Sequence, residues 1–201
     1  MGTTTPVQKV PVEKLNQYTD KNHQGAIAFL SPIDFCSLET LVPTLFEEGK
    51  TPLLMVLDGV TDVRNFGAIA RTCACAGADA LIIGSHGSVA INGDAVKTSA
   101  GALYHLPVCK VENLQHSLQY LRDSGFHVVA ATEHATQNYT EVDMTAPMAI
   151  VMGSEEKGIY EGNLRICSHQ VRIPMSGVIE SLNVSVAAGV MLYEVVRQRG
   201  V

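Results

Sequence analysis

Leu53-Leu-Met-Val-Leu-Asp-Gly-Val-Thr-Asp-Val-Arg-Asn-Phe-Gly-Ala-Ile-Ala-Arg71 decides the fold, because the period of its apolar residues changes partway along. Residues 53–57 are apolar without a break, as in a strand buried on both faces. A polar loop follows. Residues 65–78 then carry Phe66, Ile69, Ala70 and Cys73 on one side, at helical spacing, and Asn65 stands where an N-cap is expected. Residues 80–83 return to an apolar run, so the unit reads strand, loop, helix, strand.

The same rhythm continues in both directions. Downstream, the pattern predicts helices over 94–104 and 112–123, the second with Leu114, Leu118 and Leu121 on one face. Short strands are predicted over 126–131, 149–152 and 170–173, and a closing helix over about 184–198. Upstream, Ser37 opens a helical pattern (Leu38, Leu41, Leu45) that ends near Gly49. A helical turn is expected around 12–18, then a charged link over 19–23 and an apolar segment over 26–30. Residues 1–5 read as a polar leader. Strands alternating with helices imply an α/β fold, a mostly parallel sheet flanked by helices.

Composition narrows the class. The chain has 201 residues, 46% hydrophobic and 17% charged, enough for one well-buried domain and too apolar for general disorder. No apolar run reaches the roughly 18 residues of a membrane span, and no secretory signal core opens the chain. Cys36, Cys73, Cys75, Cys109 and Cys167 are scattered without zinc-knuckle spacing, so no metal and a cytoplasmic setting with reduced thiols are expected. The formal charge of −6 runs against a free-standing nucleic-acid binder, which ordinarily carries a basic face.

Three segments carry chemistry. In the first, Arg71 lies about 9 Å along the helix axis from Asn65, and helical side chains lean back toward the N-terminus. Its guanidinium is therefore within range of the loop after the strand, although from this segment alone a surface arginine on an amphipathic helix is the preferred reading. The second, Ile150-Val-Met-Gly-Ser-Glu-Glu-Lys-Gly-Ile159, runs a strand into a glycine-bounded loop. Ile159 and Tyr160 stand where a phosphate loop needs Lys and Ser or Thr, and Glu155 and Glu156 would repel phosphate, so a neutral or cationic ligand fits better. In the third, Pro174 stops a strand, and Ser181 or Asn183 caps a helix that is apolar nearly all round. No G-x-G-x-x-G follows any strand, which disfavours a dinucleotide-dependent oxidoreductase.

Taken together, Asn65-Phe-Gly-Ala-Ile-Ala-Arg71, Met152-Gly-Ser-Glu155 and Ile173-Pro-Met followed by Ser181-Leu-Asn-Val-Ser-Val-Ala187 resemble, in order and spacing, the three motifs of the SpoU methyltransferases. His23-Gln-Gly-Ala-Ile-Ala28 and Lys97-Thr-Ser-Ala-Gly-Ala102 resemble the bacterial 23S ribosomal RNA guanosine-2′-O-methyltransferases within that family. The resemblance implies a fold with a C-terminal deep trefoil knot and S-adenosylmethionine as cofactor. It implies a homodimer acting on RNA, most closely 23S ribosomal RNA. Transfer RNA as target, or a catalytically silent RNA-binding assembly factor, are the alternatives on the same fold. By motif position, Gly153, Ile173, Leu182 and Thr132 would hold the cofactor. Arg71 would be catalytic, with Asn65, Glu155, Ser181 and Asn183 positioning it, the ribose and the cofactor loops. The family resemblance divides the chain into an extension and linker over 1–50, the tail of a largely missing RNA-docking domain, and a catalytic domain over 51–201. Glu156 stands where many relatives have glycine.

Overall fold

The structure, a computed structural model, describes residues 7–28, 31–179 and 181–200. The expected leader at 1–5 and the last two residues of the apolar segment 26–30 lie outside them. The chain divides into two units, Met1–Ser31 and Pro32–Val201. In the first, the short helix α1 (Val12–Asn16) buries no residue, and His23 meets Asn16 Oδ1 at 2.9 Å.

The second unit runs α2 (Leu38–Glu47), β1 (Leu53–Asp58), α3 (Val63–Cys75), β2 (Ala80–Gly84), α4 (Gly93–Thr98), a 3-10 turn (Ala102–Tyr104) and β3 (Val108–Val111). It continues with α5 (Leu114–Asp123), β4 (His127–Ala131), β5 (Gln137–Asn138), a 3-10 turn (Tyr139–Glu141) and β6 (Met148–Gly153). It ends with α6 (Glu161–Leu164), β7 (His169–Arg172) and α7 (Val184–Arg199). The strands form one sheet in the order β3-β2-β1-β6-β4-β7-β5, with every pairing parallel.

Alternation along β1 sends its residues to two cores. Leu53, Met55 and Leu57 pack with Phe66 and Ile69 of α3 and Met191, Leu192 and Val195 of α7. Leu54 and Val56 pack with Leu38, Val42 and Leu45 of α2 and Leu118 and Leu121 of α5. Both faces are covered, which is why the strands read as continuous apolar runs. Although α2 precedes residue 51, it belongs to this unit because its apolar stripe fills the second core.

Three local expectations change. Asp62, not Asn65, caps α3: its Oδ1 accepts from the backbone N–H groups of Arg64 and Asn65, both at 2.8 Å. Asn65 therefore sits in the first turn with its side chain released from capping. The helix expected over 94–104 breaks after Thr98, because Ala100 (φ 51°) and Gly101 (φ 82°) turn left-handed. There the N–H groups of Ala100 and Gly101 close back on the carbonyls of Lys97 and Val96, both at 3.0 Å, as in a Schellman cap. Finally, β3 and the two-residue β5 are strands that the pattern did not predict.

The last turn of α7 is tied to the start of the sheet. Arg199 donates to the carbonyls of Thr51 (2.7 Å) and Ala146 (2.8 Å), and at 3.3 Å to those of Pro52 and Met144. Glu194, buried within α7, accepts two bonds from Arg197 and one from Gln198. The Arg197 guanidinium holds its carboxyl below the usual glutamate range. The other side of α7 leaves Val186 (52%) and Tyr193 (51%) exposed, so the helix is not buried all round in the single chain.

Candidate functional site

After β1 the chain crosses to β2 on one side of the sheet, whereas after β6 it crosses to β7 on the other. Loops that part in this way open a crevice at the carboxyl ends of adjacent parallel strands. Two clefts lie there. The first, of about 400 Å³, is bounded by the ends of β4 and β6, the loop after β6 and the segment leading into α7. It brings together all four expected cofactor residues, Thr132, Gly153, Ile173 and Leu182, with Glu155, Ser181 and Asn183 also on its wall. The second, of about 840 Å³, lies against the loop after β1 and is lined by Asp58, Asp62, Asn65, Glu155 and Tyr160 among others.

The loop after β6 is the partition between them, since Ser154 to Ile159 line both. Its shape depends on Gly153. Any Cβ there would fall 2.1 Å from the carbonyl carbon of Gly158, a distance no side chain tolerates. Ser154 and Gly158 then exchange two backbone hydrogen bonds (3.1 and 2.9 Å), and Ser154 Oγ accepts from Lys157 N at 3.1 Å. The turn so closed presents Glu155 at its tip.

Glu155 meets the start of α7. The Asn183 side chain caps that helix by accepting from Ser185 N at 3.0 Å and from Ser185 Oγ at 2.5 Å. Its amide donates to Glu155 Oε1 at 2.5 Å and to Asn65 Oδ1 at 3.0 Å, while Val184 N donates to Glu155 at 3.4 Å. Asn65, Glu155 and Asn183, from three distant segments, thus form one hydrogen-bonded group where the clefts meet. Ser181 stands on the wall of the first cleft without joining it.

Arg71 is placed differently. It is exposed on α3, lines neither cleft, and its side chain makes no hydrogen bond or ion pair among the described residues. Helix α3 itself presses against α4, because Gly67 leaves room there: a Cβ at 67 would lie 2.6 Å from Thr98 Cβ.

The lining chemistry is acidic. Glu133, Glu155 and Glu156 stand against Lys157 and His134 in the first cleft, and Asp58, Asp62 and Glu161 add to the second. Phosphate is disfavoured and a cationic or neutral ligand favoured, as the composition of the loop implied. Among the described residues no cluster of three His, Cys, Asp or Glu side chains is arranged to hold a metal ion, and no helix is long and apolar enough to cross a membrane. Sequence reasoning overlooked Asp58, Asp62 and Asn163. For the two aspartates a signal existed, since both stand in the quoted loop after β1, while Asn163 sits in a segment without periodicity.

Fold and site together define an α/β protein whose ligand sites are built from loops at the carboxyl ends of parallel strands. Residues 52–193 match the SpoU rRNA Methylase family, and the chain belongs to that family. A Staphylococcus saprophyticus protein placed in the TrmH family of tRNA/rRNA methyltransferases is 37% identical over 193 residues, 96% of this chain and 78% of that one. Among solved structures, the SpoU methyltransferase AviRb from Streptomyces viridochromogenes, in complex with AdoMet, aligns at a TM-score of 0.69 and 31% identity, over 75% of this chain and 61% of its own. The A. aeolicus TrmH/SpoU tRNA modifying enzyme aligns at 0.68 and 34% identity, over 81% of this chain and 84% of its own. This chain therefore spans less than two thirds of the AviRb chain and most of the A. aeolicus enzyme.

Proposed function

We propose that the protein transfers a methyl group from S-adenosylmethionine to a ribose 2′-hydroxyl of RNA, with a guanosine of 23S ribosomal RNA as target, in the cytoplasm. The observation that carries this reading is the Asn65–Asn183–Glu155 group at the junction of two clefts, one lined by every residue expected to hold the cofactor.

The first cleft fits S-adenosylmethionine. Its volume of about 400 Å³ falls within the roughly 300–1,000 Å³ of cofactor sites. Met152, Ile173 and Leu182 offer apolar walls to an adenine ring, and the nearby carboxylates suit a sulfonium cation. When bound, the cofactor supplies a methyl group activated by that sulfonium. Gly153 and Ser154 present backbone close to the ligand, and Ser181, Leu182 and Thr132 complete the wall.

The protein's task is to align a weakly nucleophilic hydroxyl and ease loss of its proton. Arginine does not deprotonate in proteins, so Arg71 holds the phosphate beside the 2′-hydroxyl and stabilises developing negative charge. Its free guanidinium, away from both clefts of its own chain, supports a role across a two-fold axis. The unpartnered Val186 and Tyr193 on α7 supply the apolar face of a homodimer in which Arg71 of one protomer serves the clefts of the other. The C-terminal segment forms the trefoil knot expected of the family. Of residues 1–50, those before α2 act as the tail and linker of an RNA-docking region, which relieves the acidic body of supplying all the phosphate contacts, while α2 packs into that body.

Calorimetry with S-adenosylmethionine and its demethylated product tests the cofactor site, and folded protein that binds neither removes the reading. Incubation with tritiated cofactor and separate 23S and transfer RNA identifies the target. The long alignment to the A. aeolicus tRNA modifying enzyme favours transfer RNA as the second reading. Mixing inactive Arg71→Ala and Asn183→Ala subunits should restore activity. Confirmed exchange without restoration confines each site to one protomer.

A further inference from the structure

Asp58 ends β1 beside Gly153, its register partner at the end of β6. Its Oδ2 accepts two hydrogen bonds from far along the chain, from Tyr160 N and from Asn163 Nδ2, each at 2.8 Å. Between Gly153 and Tyr160 runs the partition that separates the clefts. One end of that partition is tied by Glu155 to Asn183 and Val184, and the other is caught by Asp58 as the chain enters α6.

The catch has one buried anchor, Asn163, on the half-buried Asp58. Asn163 is 3% exposed, and its Oδ1 has no partner among the described residues. Turning the amide over would set that oxygen against the Asp58 carboxylate, acceptor against acceptor, so the nitrogen must face Asp58. Among the described residues, the one hydrogen bond of the Asn163 side chain is that to Asp58. Ile159, next to Tyr160, is itself buried at 7%, so the returning arm of the partition has a packed residue and a carboxylate clasp in succession. Asp58 also lines the second cleft, but neither oxygen needs to touch a ligand for the clasp to matter. Tyr160 has φ −58°, its N–H serves only the clasp, and its side chain is 64% exposed.

We infer that Asp58 is a positioning residue: by clasping Tyr160 and Asn163 it fixes the partition, and through it the place of Glu155 and the shape of the cofactor cleft. The inference rests on the methyltransferase reading for its cofactor-binding arm, and hydrogen exchange provides an arm that does not. Four variants separate clasp from general stability. Asp58→Ala removes the acceptor. Asp58→Asn keeps one carbonyl oxygen that can take both bonds. Tyr160→Pro deletes one donor at a φ that proline adopts, and serves if Asp58→Ala does not fold. Arg199→Ala loosens the opposite end of the sheet and is the control for lost stability. Well below every melting temperature, Asp58→Ala should weaken S-adenosylmethionine binding by about tenfold or more. Tyr160→Pro should do so to a smaller degree, and Asp58→Asn should recover most of the loss. Arg199→Ala should leave cofactor binding unchanged despite a lower melting temperature. Deuterium uptake should rise over residues 154–160 in Asp58→Ala and Tyr160→Pro only. Wild-type affinity in both of those variants, or equal loss in Arg199→Ala, overturns the positioning role. If the wild-type protein binds no cofactor, the functional reading fails on its own. Exchange then decides the clasp, and unchanged uptake over 154–160 in both variants overturns it.

Discussion

Asn183→Asp is the sharpest test of the group at the cleft junction, because it changes a donor to a charge without changing shape. Asn183 does two jobs with two ends. Its oxygen caps α7, and its nitrogen lies 2.5 Å from Glu155 Oε1 and 3.0 Å from Asn65 Oδ1. Aspartate keeps the cap and suits the positive end of a helix, but sets a second carboxylate against Glu155. Both residues are exposed, so the repulsion belongs near the water limit. Two unit charges at that spacing cost about 1.7 kcal/mol there, and the lost hydrogen bond adds about 1 kcal/mol. Serine loses the same amide donor, so relative to Asn183→Ser, which keeps a cap but carries no charge, Asn183→Asp should be less stable near pH 8 by the repulsion alone, about 1.7 kcal/mol. The sign reverses with acid. Two carboxyls in contact share one proton readily, so the aspartate variant should regain stability as pH falls through a raised carboxylate pKa, while the serine variant should not. Urea unfolding of both variants across that range is the assay. Equal stability at pH 8, or a parallel response to acid, would refute the placement of the Asn183 amide on Glu155.

Gly67→Ala should lower stability by about 1–3 kcal/mol, because its Cβ would meet Thr98 Cβ at 2.6 Å and Ser99 N at 3.0 Å. The gain of about 1 kcal/mol that alanine brings to an exposed helix is too small to offset this, and an unchanged or raised melting temperature would show that α3 and α4 are not in contact. The depressed carboxyl of Glu194 stabilises the fold fully above the ordinary glutamate value of 4.5 and loses that contribution as pH falls through its lower folded value. Glu194→Gln should accordingly be less stable at neutral pH and respond more weakly to acid than the wild type, and identical unfolding midpoints across that range would count against the Arg197 pairing.

How much was legible follows from where each signal resides. Strands β1, β2, β4 and β6 were readable because burial on both faces leaves no room for polar residues. By contrast, β3 carries an outward Lys110 in only four residues, and β5 is Gln137-Asn138 alone, so hydrophobic pattern had little to register. The N-cap of α3 was misread because Asp62 and Asn65 are both good caps. Only the backbone decides between them, and it gave the capping to Asp62 and released Asn65 toward Asn183. Motif spacing could place Gly153, Ile173, Leu182 and Thr132 together, since those loops already carried the family signature. It could not show that Asn65 and Asn183, 118 residues apart, come within a hydrogen bond. That meeting depends on β1 and β6 lying side by side, a non-local pairing that no local period encodes. The same adjacency brings Asp58 to Tyr160 and Asn163. The site is thus a consequence of strand order: exchanging β6 with β4 would leave every helix and strand intact and every motif unchanged, yet would separate the residues that meet between the clefts.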